Sequence, residues 1–386
     1  MKTVQNLIAI IAIMLTINAT AQEKLFTYDD YLNWKLYPES IRNLSWRACT
    51  GAFTFVEGDA LLQQNAKDPS RVDTLLKLDD LKTRDGAPED LRSIPRPAWL
   101  DENRFYFMDD HKVYVYDLES GQFTKMNEYP EEAENIELTK ETFSVAYTIG
   151  NNLYVSVNGQ EIAVSNEPNK EILYGHVPSR NEFGISQGSF WSPNGKLLAF
   201  YKTDQTEVAK YPLVDIGHRI AKSDPIAYPM AGEKSQKVSL GIFNPALNQI
   251  TRIRTPGAEN QYLTAVTWGT AGKYIYTGLL NRDQDHLQLN QYDAASGKFV
   301  KTLFEEQNNR YVEPMHGLHF LKSNPEQFIW QSRRDGWNHL YLYNTNGELI
   351  RQITNGSWEV TDFTGMDPDE KFVYYESTIA SPIERH

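Results

Sequence analysis

The sequence predicts an all-β protein, a β-propeller of four-stranded blades, and three observations support this prediction. Short runs of β-branched and aromatic residues recur along the chain, each tends to be followed by another strand and a hairpin, and almost no segment after residue 40 has a sustained helical period. The runs begin near residues 52, 103, 143, 196, 273, 328 and 372, mostly 40 to 55 residues apart. A repeat of this length is typical of propeller blades.

The hairpins that follow these runs share one turn chemistry. An Asp or Asn ends a strand, and a Gly follows three or four residues later. The pairs are Asp117 with Gly121, Asp293 with Gly297, and Asn344 with Gly347. The acidic or amide side chain can cap the turn, and the glycine can adopt the positive φ that a tight hairpin needs.

The N-terminus predicts export. Lys2 precedes an apolar run at 7–17 and the small residues Ala19 and Ala21, the pattern of a secretory signal peptide over residues 1–21. The run is too short to span a bilayer, so an uncleaved anchor is the minor alternative. We expect a periplasmic or extracellular protein with no membrane span after cleavage. A docking segment, including a short helix, should occupy 22–44, and the propeller 45–386.

Composition limits the partners. The 386 residues carry 38 Lys+Arg and 51 Asp+Glu, a formal net charge of −13, which argues against binding nucleic acid. The single cysteine, Cys49, excludes an intrachain disulfide. His316 and His319 lie three residues apart, but no helix or carboxylate cluster completes a metal site around them, so we expect no metal or other cofactor.

One interval between runs is longer than the rest and holds an insertion. Residues 202–237 contain three prolines and many polar residues, and we expect them to be too irregular for secondary structure, as a long loop or an extended arm. Long ordered loops often carry function, although a surface excursion is as good an interpretation.

Two patterns that suggest catalysis do not hold up. Gly184 to Gly188 match the G-x-S-x-G nucleophile elbow, but a β-like run and a Pro/Gly turn follow where a helix is required. The acidic pairs Asp109-Asp110 and Glu131-Glu132 resemble solvated turn charges. A propeller glycosidase would need two carboxylates at a suitable separation, which sequence alone does not give.

Several blocks together resemble a known family. They are residues 180–184, 191–200, 204–208, 228–233, 331–341 and 356–360, and they include the element Asn181-Glu182-Phe183-Gly184. Here the chain resembles the propeller domain of the dipeptidyl peptidase IV family, in the prolyl oligopeptidase superfamily. Its bacterial branch of dipeptidyl and prolyl tripeptidyl peptidases is the most similar.

The resemblance implies an eight-bladed propeller that gates a serine hydrolase domain cleaving peptides near an N-terminal proline. In that family an acidic propeller element binds the free α-amino group of the peptide, and the matching position is Glu182. Asn181 stands where vertebrate-type enzymes have a second glutamate, which leaves dipeptidyl and tripeptidyl selectivity open. Tyr311 is a candidate to flank the extended substrate cleft, and full-length members can form homodimers.

We therefore expect about seven of eight blades and no Ser-Asp-His catalytic domain within this chain. The functional hypothesis is the substrate-gating propeller portion of a secreted proline-specific serine exopeptidase, truncated before its catalytic domain. A stand-alone propeller that binds peptide or glycan without catalysis is the alternative, and a propeller glycosidase is a third possibility.

Overall fold

The fold is a propeller of antiparallel sheets. The computed structural model of the chain describes residues 27–33 and 40–386, and of residues 180 and 181 it describes the backbone alone. Within these residues every strand pairs antiparallel, and the strands form seven consecutive sheets and one separate two-stranded hairpin. The predicted all-β architecture of four-stranded blades is confirmed.

The first three blades are regular four-stranded sheets in chain order. Blade 1 contains β1 (Arg42–Arg47), β2 (Ala52–Glu57), β3 (Ala60–Asn65) and β4 (Asp68–Lys77). Blade 2 contains β5 (Ala98–Trp99), β6 (Arg104–Asp109), β7 (Lys112–Asp117) and β8 (Gln122–Glu128). Blade 3 contains β9 (Glu134–Leu138), β10 (Val145–Ile149), β11 (Asn152–Val157) and β12 (Gln160–Ala163).

Blade 4 differs because its first strand is interrupted and its central hairpin carries the separate ribbon. It contains β13 (Ile172–Tyr174), β14 (Ser189–Trp191), β15 (Leu198–Asp204), β18 (Lys237–Asn244) and β19 (Gln249–Arg252). The ribbon between β15 and β18 consists of β16 (Lys210–Asp215) and β17 (Lys222–Ala227).

The last three blades follow the regular order, and the described residues give two strands to the seventh. Blade 5 contains β20 (Tyr262–Trp268), β21 (Tyr274–Leu280), β22 (His286–Asp293) and β23 (Phe299–Gln307). Blade 6 contains β24 (His319–Phe320), β25 (Gln327–Ser332), β26 (His339–Asn344) and β27 (Leu349–Gln352). Blade 7 contains β28 (Val360–Met366) and β29 (Val373–Ser377).

All seven runs found in the sequence become the second strand of a blade: β2, β6, β10, β15, β21, β25 and β29. Their apolar side chains pack between neighbouring blades. Ala199 and Tyr201 of blade 4 share a buried cluster with Ile275 and Leu279 of blade 5, and a second cluster joins blades 5 and 6. The core is therefore the series of interfaces between blades.

The predicted turn chemistry is also present. The Asp293 carboxylate accepts hydrogen bonds from the backbone N–H and the hydroxyl of Ser296 at 2.9 and 2.6 Å, and Gly297 has φ +66°. A Cβ at Gly347, where φ is +94°, would lie 2.0 Å from the carbonyl oxygen of Leu303. Only glycine fits there, because the hairpin of blade 6 approaches the backbone of blade 5 so closely.

Two short helices precede blade 2. In α1 (Tyr28–Leu32), Thr27 and Asp30 form a capping box, and in α2 (Leu78–Lys82) the side chains of Leu78 and Leu81 are buried. Helix α1 is the short helix expected before the propeller. The signal peptide predicted for residues 1–21 lies outside the described residues, and the boundary predicted at residue 45 falls inside strand β1, so the docking segment stays a prediction.

The insertion is more regular than the sequence suggested. The expectation that 202–237 lacks secondary structure was wrong, since β16 and β17 pair along their full length, while the extended arm was the correct alternative. Pro212 and Pro225 lie opposite each other in this ribbon. A proline has no N–H to donate, so it is tolerated at a paired position whose N–H would point away from the partner strand. We call residues 210–227 the arm.

Candidate functional site

The candidate site begins with a break in the first strand of blade 4. Strands β13 and β14 both pair with β15, and residues 175–188 leave the sheet between them. The last strands of the blades, such as β12, β19 and β27, are mostly exposed, which places the first strands on the side of the propeller axis. The excursion therefore projects from the inner wall, and it contains a 3₁₀ helix, Ser179–Gly184.

Blade 5 holds this helix in place. The ring of Phe183 packs 4.7 Å from the ring of Tyr262, the first residue of β20. At Gly184, where φ is +67°, an added Cβ would lie 1.9 Å from the carbonyl oxygen of Met315. Ile185 follows and is buried in the cluster between blades 4 and 5. The helix is thus docked by one aromatic contact, one close backbone approach and one buried aliphatic side chain.

Glu182 is exposed at the centre of this helix and lines a cavity of about 510 Å³. Within the described part of the chain its carboxylate has no hydrogen bond and no ion pair. Tyr262, Arg282, Lys210 and residues of the arm base line the same cavity, which we call the Glu182 cavity. A carboxylate held this way can accept a charge-assisted hydrogen bond from a ligand ammonium group.

The cations around the Glu182 cavity already have partners in the protein, whereas the Glu182 carboxylate has none among the described residues. Lys210 pairs with Glu171. The Arg282 guanidinium lies 5.0 Å from the centre of the Tyr262 ring and donates to the Tyr262 hydroxyl, which leaves other N–H groups for a ligand. The cavity therefore offers one acceptor for a cation and a separate group of donors for carbonyl or carboxylate oxygens.

Tyr311 lies in a different place from Glu182. Its side chain is 52% exposed and lines a second cavity of about 210 Å³, together with Glu306, Glu313 and Arg333. The loop after Tyr311 reaches Met315 and so touches the helix that carries Glu182. Glu182 and Tyr311 therefore line two different cavities, and the loop after Tyr311 connects them.

Arg333 and Arg334 line the second cavity and form its ion pairs. Neither residue was assigned a role from the sequence. Arg333 makes a two-point ion pair with Glu359, at 2.5 and 3.1 Å, and lies 3.7 Å from Glu313. Arg334 donates to Glu306 at 2.5 Å. Burial lowers the pKa of Arg334, but the Glu306 carboxylate and the Tyr343 hydroxyl together outweigh it, and the net shift is upward. Both arginines lie in the block 331–341, so the sequence contained the cations. It did not show that Glu306 and Glu359, which lie outside this block, pair with them.

The structure also locates the serine of the G-x-S-x-G match and the two histidines. Ser186 is exposed and is followed by strand β14 rather than by a helix. Burial lowers the pKa of His316 and His319, which favours their neutral form. Among residues 27–33 and 40–386 no group of three metal-ligating side chains comes together, and no helix in that part of the chain is long and apolar enough to cross a membrane.

Comparison with known proteins decides the family. Residues 102–386 match the family model described as the dipeptidyl peptidase IV (DPP IV) N-terminal region. The chain belongs to this family. The predicted resemblance is therefore confirmed, and the propeller described above is a DPP IV-type propeller.

Two curated relatives of the DPP IV-type propeller come from fungi. Dipeptidyl-aminopeptidase B of Aspergillus niger is 28% identical over 274 residues, 63% of this chain and 30% of that protein. A probable dipeptidyl-aminopeptidase B of Tuber melanosporum is 26% identical over 390 residues, 86% of this chain and 42% of that protein. The chain thus spans less than half the length of these two relatives.

Solved bacterial structures share the fold. A putative dipeptidyl aminopeptidase IV from Bacteroides ovatus superposes with a TM-score of 0.81 and 33% identity, covering 88% of this chain and 50% of that one. Dipeptidyl peptidase 4 of Porphyromonas gingivalis superposes with a TM-score of 0.75 and 22% identity, covering 94% of this chain and 54% of that one. The second likeness concerns the fold alone.

Proposed function

We propose that this DPP IV-type propeller is the substrate-gating portion of an exported proline-specific serine exopeptidase, and that Glu182 binds the free N-terminal ammonium group of the peptide. The observation that carries the proposal is an unpaired, exposed carboxylate fixed on the inner wall beside a cavity. A fixed anion at this point measures the distance from the peptide N-terminus to the bond that is cut. Family membership supports the same assignment.

The acyl-transfer residues belong, in this proposal, to a part of the enzyme beyond this chain. Among the described residues no serine donates to a histidine; the buried His339 instead contacts Thr354 and the carbonyl of Gly356. The purified chain should not hydrolyse a chromogenic Xaa-Pro substrate. Turnover that a serine-directed inhibitor abolishes would contradict this division of labour.

Binding tests the role of Glu182 directly. The probe is the peptide Ala-Pro-Gly-Ala, free or N-acetylated, titrated into the chain by isothermal calorimetry. A charge-assisted hydrogen bond predicts that acetylation weakens binding by about tenfold or more, and that Glu182→Gln removes this difference. Glu131→Gln, a change of equal charge in an exposed turn, is the matched control and should keep it. Equal affinities for both peptides would overturn the assignment.

Tyr311 has a separate proposed role. Its exposed ring borders the second cavity, next to the loop that contacts the Glu182 helix, and this position suits a residue that flanks an extended peptide. Tyr311→Ala should weaken binding of Ala-Pro-Gly-Ala more than binding of the dipeptide Ala-Pro. An equal loss for both peptides would exclude the flanking role.

The proposal includes a compartment and a partner. Export follows from the pattern in residues 1–21, and the N-terminal sequence of the protein recovered from the periplasm or medium should begin at Gln22. Two copies should associate through the arm, whose tip exposes Ile216 at 84% and Ile220 at 83%. Side chains this apolar and this exposed on a projecting ribbon favour a protein partner.

A further inference from the structure

A further cavity lies apart from both the Glu182 cavity and the cavity that Tyr311 lines. It has a volume of about 460 Å³. It is lined by the C-terminal ends of β9, β14 and β20, the first strands of blades 3, 4 and 5, close to the turns that lead into the second strands. Strand β20 separates it from the Glu182 cavity, since the first residue of the strand, Tyr262, lines the Glu182 cavity and the last, Trp268, lines this one. Seven extended residues span about 20 Å. We call the cavity at the last residue of β20 the turn-end cavity.

Glu137 supplies a carboxylate to the turn-end cavity. It is partly buried, and it accepts one hydrogen bond, from the Gln187 side-chain amide at 3.0 Å. No cation lies within ion-pair distance of it among the residues that the structure describes. Burial raises the pKa of Glu137, and the Gln187 hydrogen bond opposes this shift. A desolvated carboxylate with one neutral donor retains capacity for a cation.

Two tryptophans line the cavity beside this carboxylate, the half-buried Trp191 and the almost fully buried Trp268. The Trp191 indole N–H donates to the backbone carbonyl of Glu137 at 3.0 Å, so this ring is held beside the same residue that provides the charge. The Trp268 indole N–H donates to the carbonyl of Phe190 at 2.9 Å, and its side chain is 7% exposed. Indole faces attract organic cations, and rings already fixed lose little entropy when a ligand binds.

The turn-end cavity also contains a buried hydroxyl, that of Ser189, without a hydrogen-bond partner among the described residues. Ser189 is 1% exposed. Buried polar atoms are nearly always paired in native proteins, so this hydroxyl points to a missing ligand. Glu141 adds a second carboxylate at the rim and Lys140 a single cation, so the fixed charge of the cavity favours a positive guest.

We propose that the turn-end cavity binds an organic cation, a guanidinium or alkylammonium group, which pairs with Glu137, lies against the half-buried ring of Trp191 and donates a hydrogen bond to the Ser189 hydroxyl. This chemistry has two sources, the basic side chain of a peptide and a free polyamine. The site does not depend on the Glu182 proposal, because it uses different residues about 20 Å away along β20.

The test uses N-acetyl-arginine amide, whose α-amino group is blocked, and its neutral isostere N-acetyl-citrulline amide. Both are titrated into the chain by calorimetry and by tryptophan fluorescence. Loss of a desolvated ion pair predicts affinity for the citrulline compound at least about tenfold lower. Glu137→Gln should weaken binding of the arginine compound to the same degree, and Lys140→Met should strengthen it by removing a competing charge.

The controls separate this site from folding and from the peptide site. Glu134→Gln, the same change at an exposed position of β9, and Glu182→Gln should both leave binding of the arginine compound unchanged. Circular dichroism melts check that each variant folds, and Trp191→Phe, which keeps an aromatic wall, should weaken binding only partly. Equal binding of the arginine and citrulline compounds, or no effect of Glu137→Gln, would overturn the proposal.

A spermidine titration distinguishes the sources of the cation. Tighter binding of spermidine than of N-acetyl-arginine amide supports a free polyamine as the guest. The reverse order supports the basic side chain of a peptide. If neither compound binds, the cavity is not a cation site.

Discussion

Phe183 packs its ring 4.7 Å from Tyr262 and thereby joins the excursion of blade 4 to the first strand of blade 5. Glu182 precedes this anchor in the chain, so the position of its carboxylate depends on a neighbouring blade as well as its own. Gly184 adds the close approach to Met315 on the other side. Changes at this contact should therefore disturb recognition of the peptide amine more than the stability of the propeller.

Gly184→Ala tests this arrangement. The new Cβ would meet the Met315 carbonyl oxygen at 1.9 Å, so the 3₁₀ helix has to move away from the loop that contains Met315 and carry Glu182 with it. Displacement of a positioned charge should lower the affinity for free-amine Ala-Pro-Gly-Ala by about tenfold. Calorimetry and a thermal melt measure the two effects.

The matched control for Gly184→Ala is Gly150→Ala. Gly150 also has a positive φ, +57°, but open space surrounds the position of its Cβ. Both variants carry the backbone strain of alanine at positive φ, about 1 kcal/mol, and only the first carries the clash. If both variants bind the peptide equally well, the docking of the helix does not position Glu182.

Arg334 should be a stability residue of blade 6. It donates to Glu306, to the Tyr343 hydroxyl and to Ser332, and it stacks 4.5 Å from the centre of the Tyr341 ring. Arg334→Met should cost about 3 kcal/mol of unfolding free energy, because the largely buried Glu306 carboxylate loses its cation.

The double variant Arg334→Met/Glu306→Gln completes the cycle. Removing the stranded charge should recover part of the loss, which denaturant unfolding of the four proteins would show as a coupling energy. Strictly additive losses would mean that the ion pair contributes nothing beyond packing.

The pH dependence of stability should reveal the environment of Glu137. Because burial raises its pKa in the folded state above the ordinary value, folded protein holds this proton more tightly than unfolded protein. The stabilisation is fully present below the unfolded pKa and is lost as the pH rises through the folded pKa. Relative to the parent chain, Glu137→Gln should therefore be more favourable at pH 7 than at pH 4. A difference that does not change between these pH values would contradict the assigned burial.

Association through the arm can be tested at its tip. Ile216→Asp/Ile220→Asp places two charges on the most exposed part of the arm, and we expect a dimer to become a monomer with an unchanged melting temperature. Light scattering after size exclusion measures the mass. Leu247→Asp, at an exposed turn in the same blade, is the control and should leave the dimer intact. A parent chain that is already monomeric at micromolar concentration would exclude this interface.

The second strands were predictable because they appear as runs of β-branched and aromatic residues, and four of them, β10, β15, β21 and β25, are buried on both faces. Several of the first strands were not, since β5 and β24 have two residues each and β13 and β14 are separated by the excursion. Strands this short leave no periodic signal in the sequence, although first strands line the Glu182 cavity and the turn-end cavity. The arm was misjudged because its prolines suggest irregular chain unless their pairing across the ribbon is known.

The candidate site was predictable only in its motif residue. Glu182 could be chosen from its sequence block, whereas Tyr262 and Arg282, which line the same cavity, lie 80 and 100 residues further along the chain. Tyr311 was placed near the cleft by its neighbours in sequence, and the structure puts it across the loop in another cavity. Proximity between blades depends on how neighbouring blades pack, which no local pattern encodes.

The opposed prolines of the arm have a consequence for assembly. A projecting ribbon has two open edges, and each would normally recruit another strand and pass the same opportunity to the next molecule. Pro212 and Pro225 remove one outward donor from each edge at mid-length. The arm can thus expose an apolar tip while its two edges are poor templates for added strands, and the association proposed for the tip would then stop at two copies instead of growing into a fibre.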